Sequence, residues 1–153
     1  MDYNVQNHLH PYVYEDIKTI SDSNVNWPCL ENKTVFVTGG NGFIAFYLIC
    51  AMMIRNDLYN SNINIIALVR NKENAKKKYG ALPKRNDIQL IVQDVCQPIK
   101  CSRADFIIHA ASQASAYYFE HDPKGTIDAN LTGTLNVLEY AKASKAESTL
   151  IVS

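Results

Sequence analysis

The chain has 153 residues, room for about one domain with a sizeable core, and its 15 Lys+Arg balance 15 Asp+Glu to a formal charge of zero. That balance excludes a global field that would draw in nucleic acid or an anionic membrane, so any anion site must be local. Cys29, Cys50, Cys96 and Cys101 offer neither a C-x-x-C pair nor the Cys/His spacing of a zinc site; no metal site is expected, and reduced thiols suit a cytoplasmic protein.

Residues 1 to 32 lack a clear hydrophobic period and carry Pro11, Pro28 and many Asn and Asp, so they read as an N-terminal extension with one short helix near Glu15 to Ile20. Acids and histidines stand where an export signal needs a basic start and an apolar run. From Lys33 the pattern changes. "TVFVT" reads as a strand, and a glycine turn then leads into a helix from Phe43 to Arg55. The window Phe43 to Ile54 is apolar all round and 12 residues long, short of the ~20 needed to cross a bilayer, so it is expected to be buried.

A strand "INIIALV", a helix from Lys72 to Tyr79, the strands "IQLIV" and "ADFIIHA", a long helix and a last strand "STLIVS" follow in order. The basic run "KENAKKKYG" reads as a solvated helix face. In the long helix Asp122 suits an N-cap and Pro123 the first helical position. Ile127, Leu131, Leu135, Leu138 and Ala141 recur at spacings of three and four and predict one buried stripe, with Gly133 marking a close approach of backbone or ligand. Strands that alternate with helices and read as near-continuous apolar runs imply an α/β fold with a parallel sheet.

The turn "TGGNGFIA" follows a predicted strand and opens a predicted helix, the context in which glycines let a backbone approach a pyrophosphate at a helix N-terminus. Gly39 and Gly42 would have those tasks, with Phe43 and Ile44 opening the helix beside them. The stretch resembles the T-G-G-x-G-F-I-G signature of the extended short-chain dehydrogenases/reductases, the group of NAD-dependent nucleotide-sugar epimerases and 4,6-dehydratases. Ala45 stands where the last glycine is expected, and alanine is tolerated there. Three further stretches carry the resemblance over residues 33 to 153. "IVQDV" places Asp94 and Val95 beside the adenine. "FIIHAASQAS" is similar to the H-x-A-A segment under the cofactor, with Ala110, Ala111 and Ser112. "DPKGTIDANLTGTLNVLEYAK" points to Asn130.

The resemblance implies a Rossmann-like doubly wound parallel sheet, truncated after about the fifth strand. It also implies the cofactor-binding part of an NAD(P)-dependent nucleotide-sugar 4,6-dehydratase or epimerase. Gln113, Ala114 and Ser115 are then expected at the nucleotide-sugar substrate. Ser153 is expected at the cofactor and would end the strand that leads to the catalytic hydroxyl, and the family's Tyr-x-x-x-Lys pair would lie beyond it, so no catalytic residue is assigned and the fragment alone is expected to be inactive. Uncovered apolar faces predict poor solubility unless another chain covers them, and a homodimer is expected of the full-length protein through the helix from Pro123 to Lys142. The second strand ends in Val69 and Arg70 where an NAD binder has an acid, which leans the cofactor reading to NADP over NAD, with Lys72 in support. A non-catalytic dinucleotide-binding module and an NADP-dependent reductase of a carbonyl or thioester substrate are the alternatives. No nucleic-acid or membrane partner is expected.

Overall fold

The computed structural model describes residues 4–113 and 115–152. The extension is folded. A 3-10 turn, Val5–Asn7, leads to α1 (Pro11–Ser21), which starts on a proline at its first position, and a second turn covers Trp27–Leu30. The helix is longer than the six residues expected at Glu15 to Ile20. Then come β1 (Thr34–Thr38), α2 (Phe43–Tyr59), β2 (Asn64–Val69), α3 (Lys72–Tyr79), a 3-10 turn at Leu82–Lys84, β3 (Ile88–Val92) and β4 (Phe106–His109). A short helix α4 (Ala116–His121), the long α5 (Pro123–Ser144) and β5 (Ser148–Ile151) complete the described order. Tyr117, Tyr118 and Phe119 thus form a helix of their own before α5.

All five strands are parallel, in the order β3-β2-β1-β4-β5. The register pairs Thr34 with Asn64, Val35 with Phe106, Ile65 with Ile88 and Phe106 with Ser148. Alternate strand residues point to opposite faces, and each face has its core. On one face Val35, Val37, Ile65, Ala67 and Val69 pack with Ile49 and Met53 of α2 and Ala75 and Tyr79 of α3. On the other Phe36, Ile66, Leu68 and Ile107 pack with Val137 and Tyr140 of α5. α1 lies on the outside of α2, and Ile17, Val5 and Trp27 join that first core. The central part of α2 is therefore buried on every side, as its apolar window predicts, although Phe43 and Ile44 at its start are 72% and 52% exposed.

Most of the stripe expected to bury α5 faces outward, and only Ala141 of it packs against the core. Ile127, Leu131, Leu135 and Leu138 are 61%, 61%, 56% and 44% exposed, and the buried face is Thr126, Ala129, Gly133, Val137, Tyr140 and Ser144. Small residues let this helix lie close to the sheet layer: a Cβ on Gly133 would stand 2.8 Å from Val95 Cγ1. The N-terminus is as expected, with the Asp122 carboxylate accepting from Gly125 N–H at 3.0 Å.

Candidate dinucleotide site

The strand order reverses between β1 and β4, and in open parallel sheets the crevice at the carboxyl ends beside such a point receives ligands. A cavity of about 470 Å³ lies there. Its walls are the glycine turn after β1 (Gly39, Asn41, Gly42), the ends of β2 and β3 (Leu68 to Asn71, Gln93 to Cys96), the segment after β4 (Ala110 to Gln113) and the first turns of α5 (Asp122, Gly125, Asp128, Ala129).

Gly39 has φ +69°, a left-handed value, and a Cβ there would stand 2.4 Å from the carbonyl oxygen of Ala110. No other residue fits. Gly42 is the N-cap of α2 and has no side chain to cap the helix's first N–H groups. Under the turn, Thr38 Oγ1 accepts from the N–H groups of Ala110 and Ala111, both at 3.2 Å. With both lone pairs used, its hydrogen goes to Nδ1 of buried His109, 2.7 Å away. His109 Nε2 then donates to Thr134 Oγ1 at 3.1 Å, and that hydroxyl donates to the carbonyl of Asn130 at 2.6 Å. The ring is thereby fixed as the neutral tautomer, and burial holds its pKa below the usual imidazole value.

Asp94, Val95, Ala110, Ala111, Ser112, Gln113, Arg70, Gly39 and Gly42 all line the cavity. Phe43 and Ile44 stand beside it at the exposed start of α2, and Asn130, Ser115 and Lys72 lie off its walls. Ala114 and Ser153 lie outside the described residues. Arg70 is exposed and makes no hydrogen bond or ion pair among the described residues; its charge helps hold Asp122 below the usual carboxylate range, after the larger effects of the Gly125 N–H and the Gln113 side chain. Gln113 is 7% exposed; its Nε2 donates to Asp122 Oδ2 at 3.2 Å while its buried Oε1 has no donor. Asn41 Oδ1 is a second buried acceptor without a donor. Two orphaned acceptors and a cradle that a Cβ would fill fit a ligand with hydroxyls and a pyrophosphate.

Asn41, Asn71, Asn74 and Gln93 also line the walls without a signal in the sequence that singles them out. A Tyr-x-x-x-Lys spacing does occur, at Tyr14 and Lys18, which sequence reading passes over. Both are on α1, neither lines the cavity, and Lys18 Nζ is bonded to Asp22 Oδ2. Among the described residues no group of His, Cys, Asp and Glu could hold a metal, and no helix is long and apolar enough to cross a membrane.

Residues 35–153 match the model of the NAD dependent epimerase/dehydratase family. UDP-glucuronic acid decarboxylase 3 of Arabidopsis thaliana is 34% identical over 114 residues, 74% of this chain and 32% of that protein. The chain thus spans about a third of the length of the curated relatives it matches. Among solved structures, epimerase Mth375 of Methanothermobacter thermautotrophicus aligns with a TM-score of 0.64 at 22% identity, covering 93% of this chain and 39% of that one. WbmF of Bordetella bronchiseptica, solved with NAD+ and UDP, aligns with a TM-score of 0.63 at 18% identity over 81% of this chain and 36% of its own. These likenesses show the shared parallel α/β fold.

Proposed function

This chain belongs to the NAD dependent epimerase/dehydratase family, and we propose that it is the cofactor-binding portion of a cytoplasmic NAD(P)-dependent enzyme that modifies a nucleotide-linked sugar. The observation that carries the reading is the Gly39-to-Gly42 turn, set between β1 and α2 at the mouth of a cavity at the strand-order reversal. Gly39, Gly42 and the first N–H groups of α2 would hold the pyrophosphate, Asp94 and Val95 the adenine, and Ala110 to Ser112 the underside of the dinucleotide. When bound, that cofactor supplies the acceptor and donor of hydride. Gln113, with its free buried acceptor, is assigned to the sugar side together with Ala114 and Ser115. The similarity to the Arabidopsis decarboxylases supports a UDP-linked sugar acid as the substrate class. Unpaired Cys29, Cys50, Cys96 and Cys101 fit a reducing compartment. The exposed stripe on α5 is assigned to a second copy of the chain.

Arg70 carries the choice of dinucleotide. A guanidinium without an ionic partner at the end of β2 suits a 2'-phosphate, which supports NADP. The test is calorimetric titration of NAD+ and NADP+ into the wild-type chain, Gly42→Val and Arg70→Ala. Gly42→Val should abolish binding of both, because its side chain fills the space in which the phosphates approach. Arg70→Ala should weaken NADP+ roughly tenfold to a hundredfold and NAD+ far less. Wild-type protein that binds neither overturns the cofactor reading; equal losses for both cofactors in Arg70→Ala reverse the choice of NADP.

A further inference from the structure

The glycine turn is held from behind by the last turn of α3. Tyr79 Oη donates to the carbonyl of Gly40 at 2.6 Å, and Lys78 Nζ donates to the carbonyls of Asn41 and Gly42 at 2.8 and 3.2 Å. Gly39, the remaining member, accepts from Gly42 N–H at 2.6 Å. Every carbonyl from Gly39 to Gly42 therefore has a donor from within the chain, and neither Lys78 nor Tyr79 lines the cavity. In a planar trans peptide the C=O and the following N–H point in opposite directions. Holding the Gly40 and Gly42 oxygens toward α3 turns the N–H groups of Asn41 and Phe43 to the other side of the turn. An anion arriving there meets hydrogens and not lone pairs.

The Lys78 ammonium has no carboxylate partner among the described residues; it sits over the Phe46 ring, 4.7 Å from its centroid. Burial draws its pKa below the usual lysine value. The neighbouring Lys76 is paired instead with Glu73 on the exposed side of the helix. The cation is held by two carbonyls and a ring, and no carboxylate among the described residues neutralises its charge.

We propose that Lys78 is a positioning residue of the dinucleotide site, which fixes the Asn41 and Gly42 carbonyls away from the ligand and places an unpaired positive charge behind the pyrophosphate. The inference rests on the dinucleotide reading above and assigns a ligand-directed task to a lysine inside a run that resembles a solvated face.

Titration calorimetry of NAD+, ADP and adenosine into wild type, Lys78→Met and Lys78→Arg tests it. Adenosine lacks the pyrophosphate and is the internal control. Lys78→Met should weaken NAD+ and ADP by roughly five- to tenfold and leave adenosine unchanged; Lys78→Arg should restore most of the loss. The wild-type affinity for ADP should also fall more steeply with salt than that of Lys78→Met. Unchanged ADP affinity in Lys78→Met, or an equal loss for adenosine, overturns the proposal while wild-type binding of NAD+ leaves the cofactor reading intact. Wild type that binds no dinucleotide overturns both. If near-UV circular dichroism shows that Lys78→Met does not fold, Lys78→Gln keeps an N–H donor without the charge: weaker ADP binding supports the proposal and unchanged binding overturns it.

Discussion

Thr38 and His109 lock together the ends of two adjacent strands, and the lock depends on the protonation state of one ring. Thr38 has a single hydrogen, already committed to His109 Nδ1. Protonation at Nδ1 removes the lone pair that accepts this hydrogen, so the hydroxyl must turn and the new ring proton competes for Thr38 Oγ1 with the N–H groups of Ala110 and Ala111. His109 has its folded pKa depressed by burial, so below the unfolded value the unfolded chain binds more protons than the folded one. Stability is then complete above about pH 6.5 and falls as the pH drops through the depressed folded value, by at most about 1.4 kcal/mol per pH unit. Urea denaturation at intervals from pH 7.5 to 5 should show this slope for wild type and a flatter profile for His109→Gln. Identical slopes would assign the acid sensitivity to other groups. The carboxylate of Asp122, held down by the Gly125 N–H and Gln113, loses its contribution only at lower pH and stays outside this window.

α5 carries two stripes, roughly 150° apart at 100° per residue. The inner one is built from Thr126, Ala129, Gly133 and Val137, and the outer from Ile127, Leu131, Leu135 and Leu138. Hydrophobic period alone assigns the large residues to the core, and here that rule fails because the N-terminal half of the helix lies close to the sheet layer: Val95 leaves no room at Gly133 for a Cβ, and the large Tyr140 is buried only further along. The leucines stay exposed, the face proposed above for a second copy of the chain. Leu131→Glu combined with Leu135→Glu should keep the fold and yield a monomer in sedimentation equilibrium at micromolar concentration, against a wild-type dimer; a monomeric wild type sinks the assignment of this face. Other elements were legible because their signals are local. β1, α3 and β3 fall where their residues predict, and Asp122 with Pro123 marks the start of α5 as composition requires. The glycine turn was legible as well, since strand, Gly39, Gly42 and helix lie within a dozen residues. What supports that turn was not: Lys78 and Tyr79 reach it across 36 to 39 residues, and no spacing rule links a basic helix end to a distant carbonyl. The cavity walls at Asn71, Asn74 and Gln93 were hidden for the same reason, as they converge only once β2 and β3 are side by side.

At the scale of the molecule, the layer order is extension, helices, sheet, helix. The N-terminal extension completes the core over α2, with Val5 and Ile17 fully buried and Arg55 stacked on Tyr59 at 3.9 Å and near Trp27 at 5.4 Å. It is part of the hydrophobic interior. Ile17→Ala should therefore cost about 2 to 5 kcal/mol in chemical denaturation, a loss out of proportion for a residue in a flexible leader; a change under ~0.5 kcal/mol would show that α1 contributes no core. The strand order has a further consequence, for synthesis. β1 lies at the centre of the sheet yet comes first, and its second neighbour, β4, is 71 residues later at each register pair, as between Val35 and Phe106. At ribosomal rates of ~5 to 20 residues per second that interval lasts about 4 to 14 seconds. Meanwhile β1, β2 and β3 can pair with α2 packed on one side, while the other edge of β1 stands open to any nascent chain alongside. A translational pause between residues 70 and 105 would lengthen that exposure and lower the yield of folded protein without altering a single contact in the finished molecule.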